Sequence, residues 1–354
     1  IRGKMRSQKI IEYGKPLVSV NEETPAPQGT EVLVKVLYSG VCHTDVHIND
    51  GYFILSGEKK IDTSSRRSLP FTLGHEIFGE VSALGENVSG VKIGDRRSIY
   101  PWIGCGDCNT CLSGNENLCD KANKSIGTSI NGGYSDYVVV PHSKYLIKTD
   151  GIDDRLAATY MCSGVTAFSA IKKIGKLQKS DVVLVLGLGG VGMSGLQIGK
   201  AILDNPLFAA DIEDLKLKQA KNLGVKNIYN TGDKESVSRL ISESKGGVAV
   251  VIDFVGSEKS AAFGLSSIKR GGKYIVVGLY GGEISVPLAT IPLRAISIIG
   301  SLTGSLAETK EVIKLAQTGK IGPIPIEERP LEKASKSLED LRNGMITGRV
   351  VLTP

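Results

Sequence analysis

Near the middle of the chain, a run of apolar residues leads directly into a glycine-rich turn. Val182–Leu186 (VVLVL) is typical of a strand that is buried on both faces of a parallel sheet. Gly187–Gly192 (GLGGVG) follows at once and fits the pattern G-x-G-x-x-G, and helical periodicity comes next. Such glycines permit a tight turn and bring backbone N–H groups close to a pyrophosphate at a helix N-terminus. The segment therefore predicts a dinucleotide-binding unit.

Two other structures are compatible with parts of this segment. Val182–Gly199 carries no charge over 18 positions, as a membrane-spanning helix would. It also contains six glycines together with Ser194 and Gln197, whereas a spanning helix is more uniformly apolar. We therefore expect a buried α/β segment and no membrane association. The second alternative is a glycine turn that only lets the helix pack on the sheet.

The next predicted strand ends in a carboxylate. Asp211 closes the stretch Phe208–Asp211, 19 residues beyond Gly192. A carboxylate at this place accepts the ribose hydroxyls of the coenzyme and repels a 2′-phosphate. The sequence thus predicts NAD rather than NADP.

The pattern of the chain changes near residue 155. Before it, alternating stretches such as Glu31–Tyr38 and Ile77–Leu84 lie between Gly, Pro and Asn turns, which is typical of an all-β domain. Beyond it, apolar strands at Val248–Val255 and Lys273–Leu279 alternate with helical segments, which predicts a doubly wound parallel sheet. One further strand, a helix over Leu306–Gln317 and a mixed tail complete the chain, and the tail can return to the first domain.

Four of the six cysteines form a close cluster, Cys105, Cys108, Cys111 and Cys119, with the pattern C-x2-C-x2-C-x7-C. Four thiolates at this spacing can close a tetrahedral shell around one Zn²⁺ and leave no open position for chemistry. Residues 1–13 are basic and interrupted by charges, unlike a secretory leader, so we expect a cytoplasmic protein with reduced thiols. Two disulfides or four free thiols are the alternatives.

The net charge of +6 is modest for 354 residues, and its basic and acidic side chains are interspersed. This distribution is unlike a nucleic-acid-binding surface, so no nucleic acid partner is expected. The length is sufficient for two domains, each with its own core.

Cys42, His75 and Cys162 are the remaining candidate metal ligands. A site with two cysteines and one histidine leaves the fourth position of zinc open, as catalytic zinc requires. Their spacing does not establish that they converge, because buried free cysteines and core histidines are common.

Together these residues resemble the zinc-containing, medium-chain alcohol dehydrogenases over nearly the whole chain. The matching segments are Cys42–His47 (CHTDVH), Gly74–Gly79 (GHEIFG), Pro101-Trp102, the four-cysteine cluster, Ser163–Thr166 (SGVT), the glycine turn with Asp211, and Gly348–Val350 (GRV). The resemblance implies that Cys42, His75 and Cys162 do converge on a catalytic zinc.

The resemblance also implies an architecture. It is a GroES-like catalytic domain made from residues 1–155 and 297–354, with a structural zinc lobe at 104–120. A Rossmann domain, residues 156–296, is inserted into it, and the active site lies in the cleft between them. Two Zn²⁺ per chain, NAD, and a homodimer or homotetramer with strand pairing across the Rossmann domains are implied as well.

Catalytic roles follow from the same resemblance. Thr44 would take the proton of the alcohol, and His47 would pass it to solvent. Asp45 would orient the zinc-bound His75, and Glu76 would lie beside the metal and assist ligand exchange. The alternative for Thr44 is a helix cap.

The residues implied in coenzyme binding come from several segments: His43, Thr166, Gly187, Gly189, Gly190, Val191, Gly192, Asp211, Lys216 and Arg349. A solvated His43 and a surface Arg349 are the alternatives without the family. His142 matches nothing in the family and is interpreted as a surface residue.

The stretch 51–70 (GYFILSGEKKIDTSSRRSLP) is longer than in the shortest members of the family. It is expected at the substrate entrance, where Tyr52, Phe53 and Trp102 would wall an apolar pocket. Its four basic residues are either a solvated loop or a device that steers an anionic substrate, an acid or a thioester. Those residues are Lys59, Lys60, Arg66 and Arg67.

Three other functions stay open from the sequence. A polyol, a cyclic alcohol or a hydroxyacyl thioester can be the substrate of the same enzyme class. A zinc-free reductase acting on enones is opposed by the intact Cys42, His75 and Cys162. A non-enzymatic binding protein would have little reason to keep Thr44 and His47.

Overall fold

The computed structural model describes residues 3–354, so the first two residues of the predicted catalytic domain lie outside the described residues. Its strands are β1 (Lys4–Ile10), β2 (Val18–Glu23), β3 (Val32–Gly40), β4 (Tyr52–Ser56), β5 (Lys59–Asp62), β6 (Phe71–Thr72), β7 (Glu76–Leu84), β8 (Arg96–Ile99), β9 (Tyr137–Val140), β10 (Leu146–Ile147), β11 (Val183–Leu186), β12 (Leu207–Asp211), β13 (Asn227–Asn230), β14 (Val248–Asp253), β15 (Ile268–Val276), β16 (Ser297–Gly300), β17 (Ile326–Pro330) and β18 (Arg349–Thr353).

Its α-helices are α1 (His43–Asp50), α2 (Asn109–Leu112), α3 (Asp154–Thr159), α4 (Val165–Lys172), α5 (Gly190–Ile202), α6 (Asp214–Asn222), α7 (Ser236–Glu243), α8 (Glu258–Ser267), α9 (Thr290–Arg294), α10 (Leu306–Gln317) and α11 (Ala334–Arg342). A π-helical turn, Tyr160–Gly164, joins α3 to α4. No helix within residues 3–354 combines the length and apolar character that crossing a bilayer requires.

The central apolar run forms the middle of a six-stranded parallel sheet with the order β13-β12-β11-β14-β15-β16. All four residues of β11 are buried, because strands pair with it on both sides and helices cover both faces. The predicted strands at 208–211, 248–255 and 273–279 are found as β12, β14 and β15. This sheet is the predicted doubly wound unit.

The predicted domain boundary at residue 297 is wrong, because it separates strand β16 from the parallel sheet to which it belongs. The sequence division assigned residues from 297 onward to the catalytic domain, whereas β16 pairs with β15 in parallel, with Lys273 opposite Ser297. Four residues beyond 296 thus belong to the parallel sheet. This edge strand is mostly exposed, unlike the continuously buried β11 and β14, so its short apolar run is a weaker signal of sheet membership.

The second large sheet has seven strands in the order β10-β8-β7-β3-β18-β17, and β9 also pairs with β3. Its final strands come from the C-terminal tail, since β18 pairs antiparallel with β3 through Val351 and Gly40. The tail therefore returns to the first part of the chain. One core cluster contains Val36 and Ile77 from this sheet and Val183 and Ile252 from the parallel sheet, so the two sheets pack through a shared core.

Candidate active site and metal centres

Helix α1 follows β3 of the seven-stranded sheet, and Cys42 is its N-cap residue. The Asp45 carboxylate accepts the backbone N–H of Cys42 at 3.0 Å, which closes the first turn. Thr44 lies in that turn and His47 in the last, both partly exposed. Since Cys42 is the cap, the alternative of Thr44 as a helix cap is wrong.

Cys42, His75 and Cys162 come from three distant segments and meet in the interior. Their candidate ligand atoms lie within 4.8 Å of one another, and the two Sγ atoms are 4.0 Å apart. His75 is fully buried, and its Nε2 has no hydrogen-bond partner among the described residues. Cys162 lies on the π-helical turn, an irregularity that is frequent at functional sites.

These residues fit a zinc ion. Two thiolates bound tetrahedrally to one zinc at about 2.3 Å lie about 3.8 Å apart, close to the observed separation. A buried imidazole nitrogen without a partner costs free energy unless a ligand satisfies it. The set supplies three ligands and leaves a fourth position open, which is the pattern of catalytic rather than structural zinc.

Asp45 holds the buried imidazole in place. Its Oδ1 lies 3.1 Å from His75 Nδ1, and its Oδ2 accepts the Tyr134 hydroxyl at 2.9 Å. Asp45, His75 and Tyr134 are all completely buried. A neutral imidazole that donates from Nδ1 presents the lone pair of Nε2. The hydrogen bonds from Tyr134 to Asp45 and from His75 to Asp45 therefore fix the tautomer that a metal requires.

Glu76 and Arg349 form a buried ion pair beside the three ligands. Glu76 also accepts the backbone N–H of Ser163 at 3.1 Å, and its second oxygen has no partner within residues 3–354. Burial raises the pKa of Glu76 to about 7, although the charge of Arg349 opposes the shift. At 3% exposure Arg349 is not a surface residue. Gly40 is required here, because a Cβ would lie 2.1 Å from the Glu76 carboxylate.

The glycine turn begins helix α5 without any side-chain cap. Gly187 adopts φ +88°, and a Cβ at Gly192 would lie 1.8 Å from the Gly187 carbonyl oxygen. A Cβ at Gly189 would meet no atom within 4 Å, so the turn is open on that side. Uncapped N–H groups at the start of a 13-residue helix, next to open space, fit a pyrophosphate.

Asp211 lies at the carboxyl end of β12 and contacts the same turn. One oxygen accepts the Leu188 N–H at 2.6 Å and the other the Glu213 N–H at 2.9 Å. Its carboxylate is thereby fixed beside the glycine turn, and each oxygen keeps a second lone pair for a ribose hydroxyl. Lys216 follows on α6, with its Nζ 3.8 Å from the Glu213 carboxylate.

His43, Arg349 and Lys216 lie close enough for their positive charges to act on one another. Part of the His43 side chain is exposed, but desolvation by the surrounding protein lowers the pKa of its imidazole to about 4, and the positive charges of Arg349 and Lys216 contribute. Arg349 also touches the glycine turn, because a Cβ at Gly190 would lie 2.5 Å from its side chain. An anionic group at this place would relieve the repulsion.

Thr166 and Val191 complete the predicted coenzyme set. Val191 is partly buried in the first turn of α5. Thr166 lies in the first turn of α4, is 8% exposed, and its hydroxyl has no partner among the described residues. A buried hydroxyl without a partner is suited to a polar group of a ligand.

The four-cysteine cluster forms a compact lobe around α2. The Sγ atoms of Cys105 and Cys111 are 3.9 Å apart, as are those of Cys108 and Cys119. All six cysteines of the chain are free, so the disulfide alternative is wrong. The Ala122 N–H donates to Cys119 Sγ and lowers the pKa of this thiol to about 6. Four converging sulfurs stabilised by N–H groups fit a closed zinc site.

Buried Glu116 attaches this lobe to the segment just before β10 of the seven-stranded sheet. Its carboxylate accepts the Gly104 N–H at 3.2 Å, the Tyr145 hydroxyl at 2.7 Å and the Lys144 ammonium at 3.2 Å. Asn117 donates to the carbonyl of Leu302, in the loop that follows β16 of the parallel sheet, at 3.0 Å. The lobe therefore contacts both halves of the molecule.

Two family models match the chain. Residues 28–151 match the alcohol dehydrogenase GroES-like domain, and residues 190–318 match the zinc-binding dehydrogenase model. A curated NAD-dependent alcohol dehydrogenase of Sulfurisphaera tokodaii is 36% identical over 99% of this chain and 100% of its own length. The chain belongs to the zinc-containing, medium-chain alcohol dehydrogenases. Family membership confirms the predicted reaction class and the cofactors zinc and NAD.

Solved structures agree with this assignment. The crystal structure of an alcohol dehydrogenase from Aeropyrum pernix superposes with a TM-score of 0.88 at 30% identity, covering 99% of this chain and 100% of the other. An acetophenone reductase from Geotrichum candidum, solved in complex with NAD, gives a TM-score of 0.85 at 28% identity, covering 99% and 97%. The predicted fold, a GroES-like domain with a Rossmann domain, is confirmed.

Two contacts of the alcohol dehydrogenase site were not predicted from the sequence. Tyr134 supports Asp45 through its hydroxyl, and Ser163 binds Glu76 through its N–H. Phe53 and Trp102 are predicted to wall the substrate pocket, and their rings lie 4.8 Å from His47 and 5.2 Å from His75 between centroids. No local pattern marks Tyr134, and the motif Ser163–Thr166 does not reveal the bond from Ser163 to Glu76, because both contacts join distant segments.

In this alcohol dehydrogenase the stretch 51–70 contains the hairpin β4–β5, and most of its basic residues have partners. Lys59 lies 3.7 Å from the Glu283 carboxylate, and Lys60 lies 3.8 Å from the centre of the Tyr52 ring. The Arg67 side chain donates to the Thr128 carbonyl at 2.7 Å. These contacts favour a structural role over the steering of an anionic substrate, which stays a prediction.

The hairpin also joins the two sides of the alcohol dehydrogenase cleft. The Gly282 N–H donates to the Leu55 carbonyl at 2.8 Å, next to the pair of Lys59 and Glu283. Gly282 belongs to the loop after β15, at the carboxyl edge of the parallel sheet where a dinucleotide binds in such folds. Coenzyme binding and this contact should therefore support each other.

A double-mutant cycle measures that coupling. Lys59→Ser, Glu283→Ser and the double variant should each weaken NADH binding by about fivefold or less, because an exposed pair is worth roughly 0.2–1 kcal/mol. The double variant should be no weaker than either single variant. Strictly additive effects on the NADH dissociation constant would refute the coupling.

Proposed function

We propose that this chain interconverts alcohols with aldehydes or ketones by hydride transfer to and from NAD at the Cys42, His75 and Cys162 site. The observation that supports this proposal most directly is the buried pair of thiols beside His75 Nε2, which has no hydrogen-bond partner among the described residues. The same molecule contains an open glycine turn. When bound there, zinc lowers the pKa of an alcohol and polarises a carbonyl.

The protein's own groups would move the proton. Thr44 can accept the alcohol proton while it donates its own, and His47 lies one turn further along α1 toward solvent. Burial lowers the pKa of His47, so the imidazole is neutral near neutral pH and can accept a proton. Asp45 orients His75, and Glu76, whose second carboxylate oxygen has no partner among the described residues, would assist ligand exchange at a bound zinc.

The coenzyme would lie across the carboxyl edge of the parallel sheet. Gly187, Gly189, Gly190, Val191 and Gly192 would hold the pyrophosphate from one side, and His43 and Arg349 from the other. Asp211 and Lys216 would bind the adenosine ribose. Thr166 would donate to the nicotinamide end, and Cys105, Cys108, Cys111 and Cys119 would hold a second, structural zinc.

We further propose a division into a catalytic domain, 1–155 and the chain after about residue 318, and a coenzyme domain that includes β16 and α10. β16 is an edge strand of the parallel sheet, and Ile298 on it is exposed. An exposed apolar edge favours pairing with a second copy, which supports a homodimer or homotetramer. The free cysteines support a reducing, cytoplasmic location.

The test is a panel of primary, secondary, cyclic, polyol and acidic alcohols assayed with NAD and NADP. We expect reduction of NAD, highest for apolar alcohols, because Trp102 and Phe53 lie beside His75 and His47. Activity only with NADP would overturn the coenzyme proposal, and inactivity with every alcohol would overturn the substrate class.

Asp211→Ser is the matched variant for the coenzyme proposal. It removes the charge that repels a 2′-phosphate while keeping a hydrogen-bonding group at the turn. Activity with NADP should rise relative to NAD, measured as the ratio of the two kcat/KM values. An unchanged ratio would mean that Asp211 only supports the turn.

A further inference from the structure

A concavity with a lining separate from the candidate active site lies beside helix α10. It is formed by the turn at 89–91, the segment 142–150 and helix α10, and it has a volume of about 620 Å³. None of its lining residues belongs to the metal sites or the glycine turn. Small-molecule pockets have volumes of roughly 300–1,000 Å³, so the size fits a small ligand. We call it the basic groove.

Its two walls present basic side chains to each other. On α10, Lys310 and Lys314 are four residues apart and therefore lie on one helix face. On the opposite wall, His142 caps a 3-10 turn, Ser143–Tyr145, that contains Lys144, and Lys148 follows β10. All three of these basic residues line the groove. Arg97 lines the groove as well, but it is buried and paired with Asp95 at 2.7 Å, so five exposed basic side chains face this space.

The groove contains little compensating charge. Asp150 is the single acidic residue in its lining. Lys144 is partly neutralised by Glu116 at 3.2 Å. Lys148, Lys310 and Lys314 have no carboxylate within 4.0 Å among residues 3–354. Like charges that line a concave surface reinforce one another and raise the local concentration of anions.

His142 adds a directed donor. Its Nδ1 accepts the Lys144 backbone N–H at 3.0 Å, so in the neutral ring Nε2 carries the hydrogen. The buried side chains of Leu146, Ile147 and Ile313 lie beneath the polar rim. An amine cluster with one oriented N–H above an apolar base suits a small organic anion.

We propose that the basic groove binds a small organic anion whose head group carries two negative charges, a phosphate monoester or a dicarboxylate. Solvated lysines alone would gain nothing from this arrangement, since Lys310 and Lys314 repel each other along α10. A doubly charged head group would bridge α10 to the 142–150 segment through charge-assisted hydrogen bonds. The proposal is independent of the hydride-transfer site.

Binding can be measured on the zinc-loaded enzyme with NADH present at saturation, so that the glycine turn is occupied. Phenyl phosphate, phthalate and inorganic phosphate are titrated calorimetrically, and benzoate serves as the singly charged comparison. Phenyl phosphate or phthalate should bind more tightly than benzoate. The stronger of the two identifies the head group, and inorganic phosphate shows whether the apolar base contributes.

Lys310→Gln with Lys314→Gln is the decisive variant. It should bind the preferred anion about tenfold more weakly or worse, because a hydrogen bond to a charged group is worth roughly 1.5–3 kcal/mol. The matched control is Lys176→Gln with Lys179→Gln, which removes the same charge from exposed positions outside the groove. The control should change the dissociation constant less than twofold.

The fold of the variant should be preserved, because removing a like-charge pair from a helix does not destabilise it. The melting temperature without ligand, and turnover of an alcohol, should therefore match the parent enzyme. No binding by any of the probes would overturn the proposal. An equal loss of affinity in both double variants would also overturn it, because the effect would then be due to overall charge.

Discussion

Replacement of Cys162 by alanine should remove the catalytic zinc and lower kcat/KM for an alcohol by about a thousandfold or more. The reason is that the charge stabilisation supplied by a bound metal is worth several kcal/mol, and each 1.36 kcal/mol corresponds to tenfold in rate. With one thiol gone, Cys42 and His75 provide two ligands, too few to hold the ion. Zinc content should fall from two to one per chain.

The control for this result is Met161→Leu. Met161 precedes Cys162 on the π-helical turn and is equally buried, and leucine is close to it in volume. Its activity should stay within a few-fold of the parent. NADH affinity should be kept in both variants, since the glycine turn is separate from the thiols. Activity of Cys162→Ala close to the parent, with both zinc ions retained, would contradict the assignment.

Replacement of Cys111 by serine should lower the stability of the protein while leaving the activity of the folded molecules largely intact. The cluster would lose its zinc, and because metal binding is coupled to folding, we expect a loss of several kcal/mol, or roughly 10 °C in Tm. Cys111 is buried and lies under Gly104, where a Cβ would be 2.4 Å from its sulfur. Limited proteolysis should cleave the lobe at 104–120 first.

Leu112→Ser is the neighbouring control for Cys111→Ser. Leu112 is 72% exposed, so its replacement should change stability by no more than about 0.5 kcal/mol. At a temperature where Cys111→Ser is still folded, it should retain one zinc and most of its activity per folded molecule. Full loss of activity with unchanged Tm would show that the four cysteines hold the catalytic rather than the structural ion.

These paired variants separate what each metal site does. Cys162→Ala is expected to be stable and inactive, whereas Cys111→Ser is expected to be active and unstable. The difference follows from the geometry: three ligands beside the cleft leave a position for substrate, and four ligands in the lobe leave none.

Much of the coenzyme unit was predictable from local sequence. A strand buried on both faces must be continuously apolar, and a tight turn before a helix needs glycine where a Cβ would strike the backbone, as at Gly192. The four-cysteine metal site was equally predictable from the sequence, because all its ligand atoms come from one short loop. In both cases the function is built from neighbours in the chain.

The predicted domain boundary after residue 296 was wrong because it depends on a contact between segments that are distant in the chain. The edge strand β16 pairs with β15 and is mostly exposed, so its sequence lacks the continuous apolar run of an inner strand of the parallel sheet. Its membership depends on the pairing of Lys273 with Ser297, a contact that no local pattern encodes.

What the sequence determined by itself was the strand–glycine turn–helix unit, the carboxylate that follows the next strand, and the closed cluster of cysteines. Each depends on spacing within a few turns of chain. Only the tertiary structure decided that Cys42, His75 and Cys162 meet, that Tyr134 supports Asp45, and that Arg349 is buried against Glu76. These contacts join segments up to 273 positions apart, and they form because strand pairing and core packing bring those segments together.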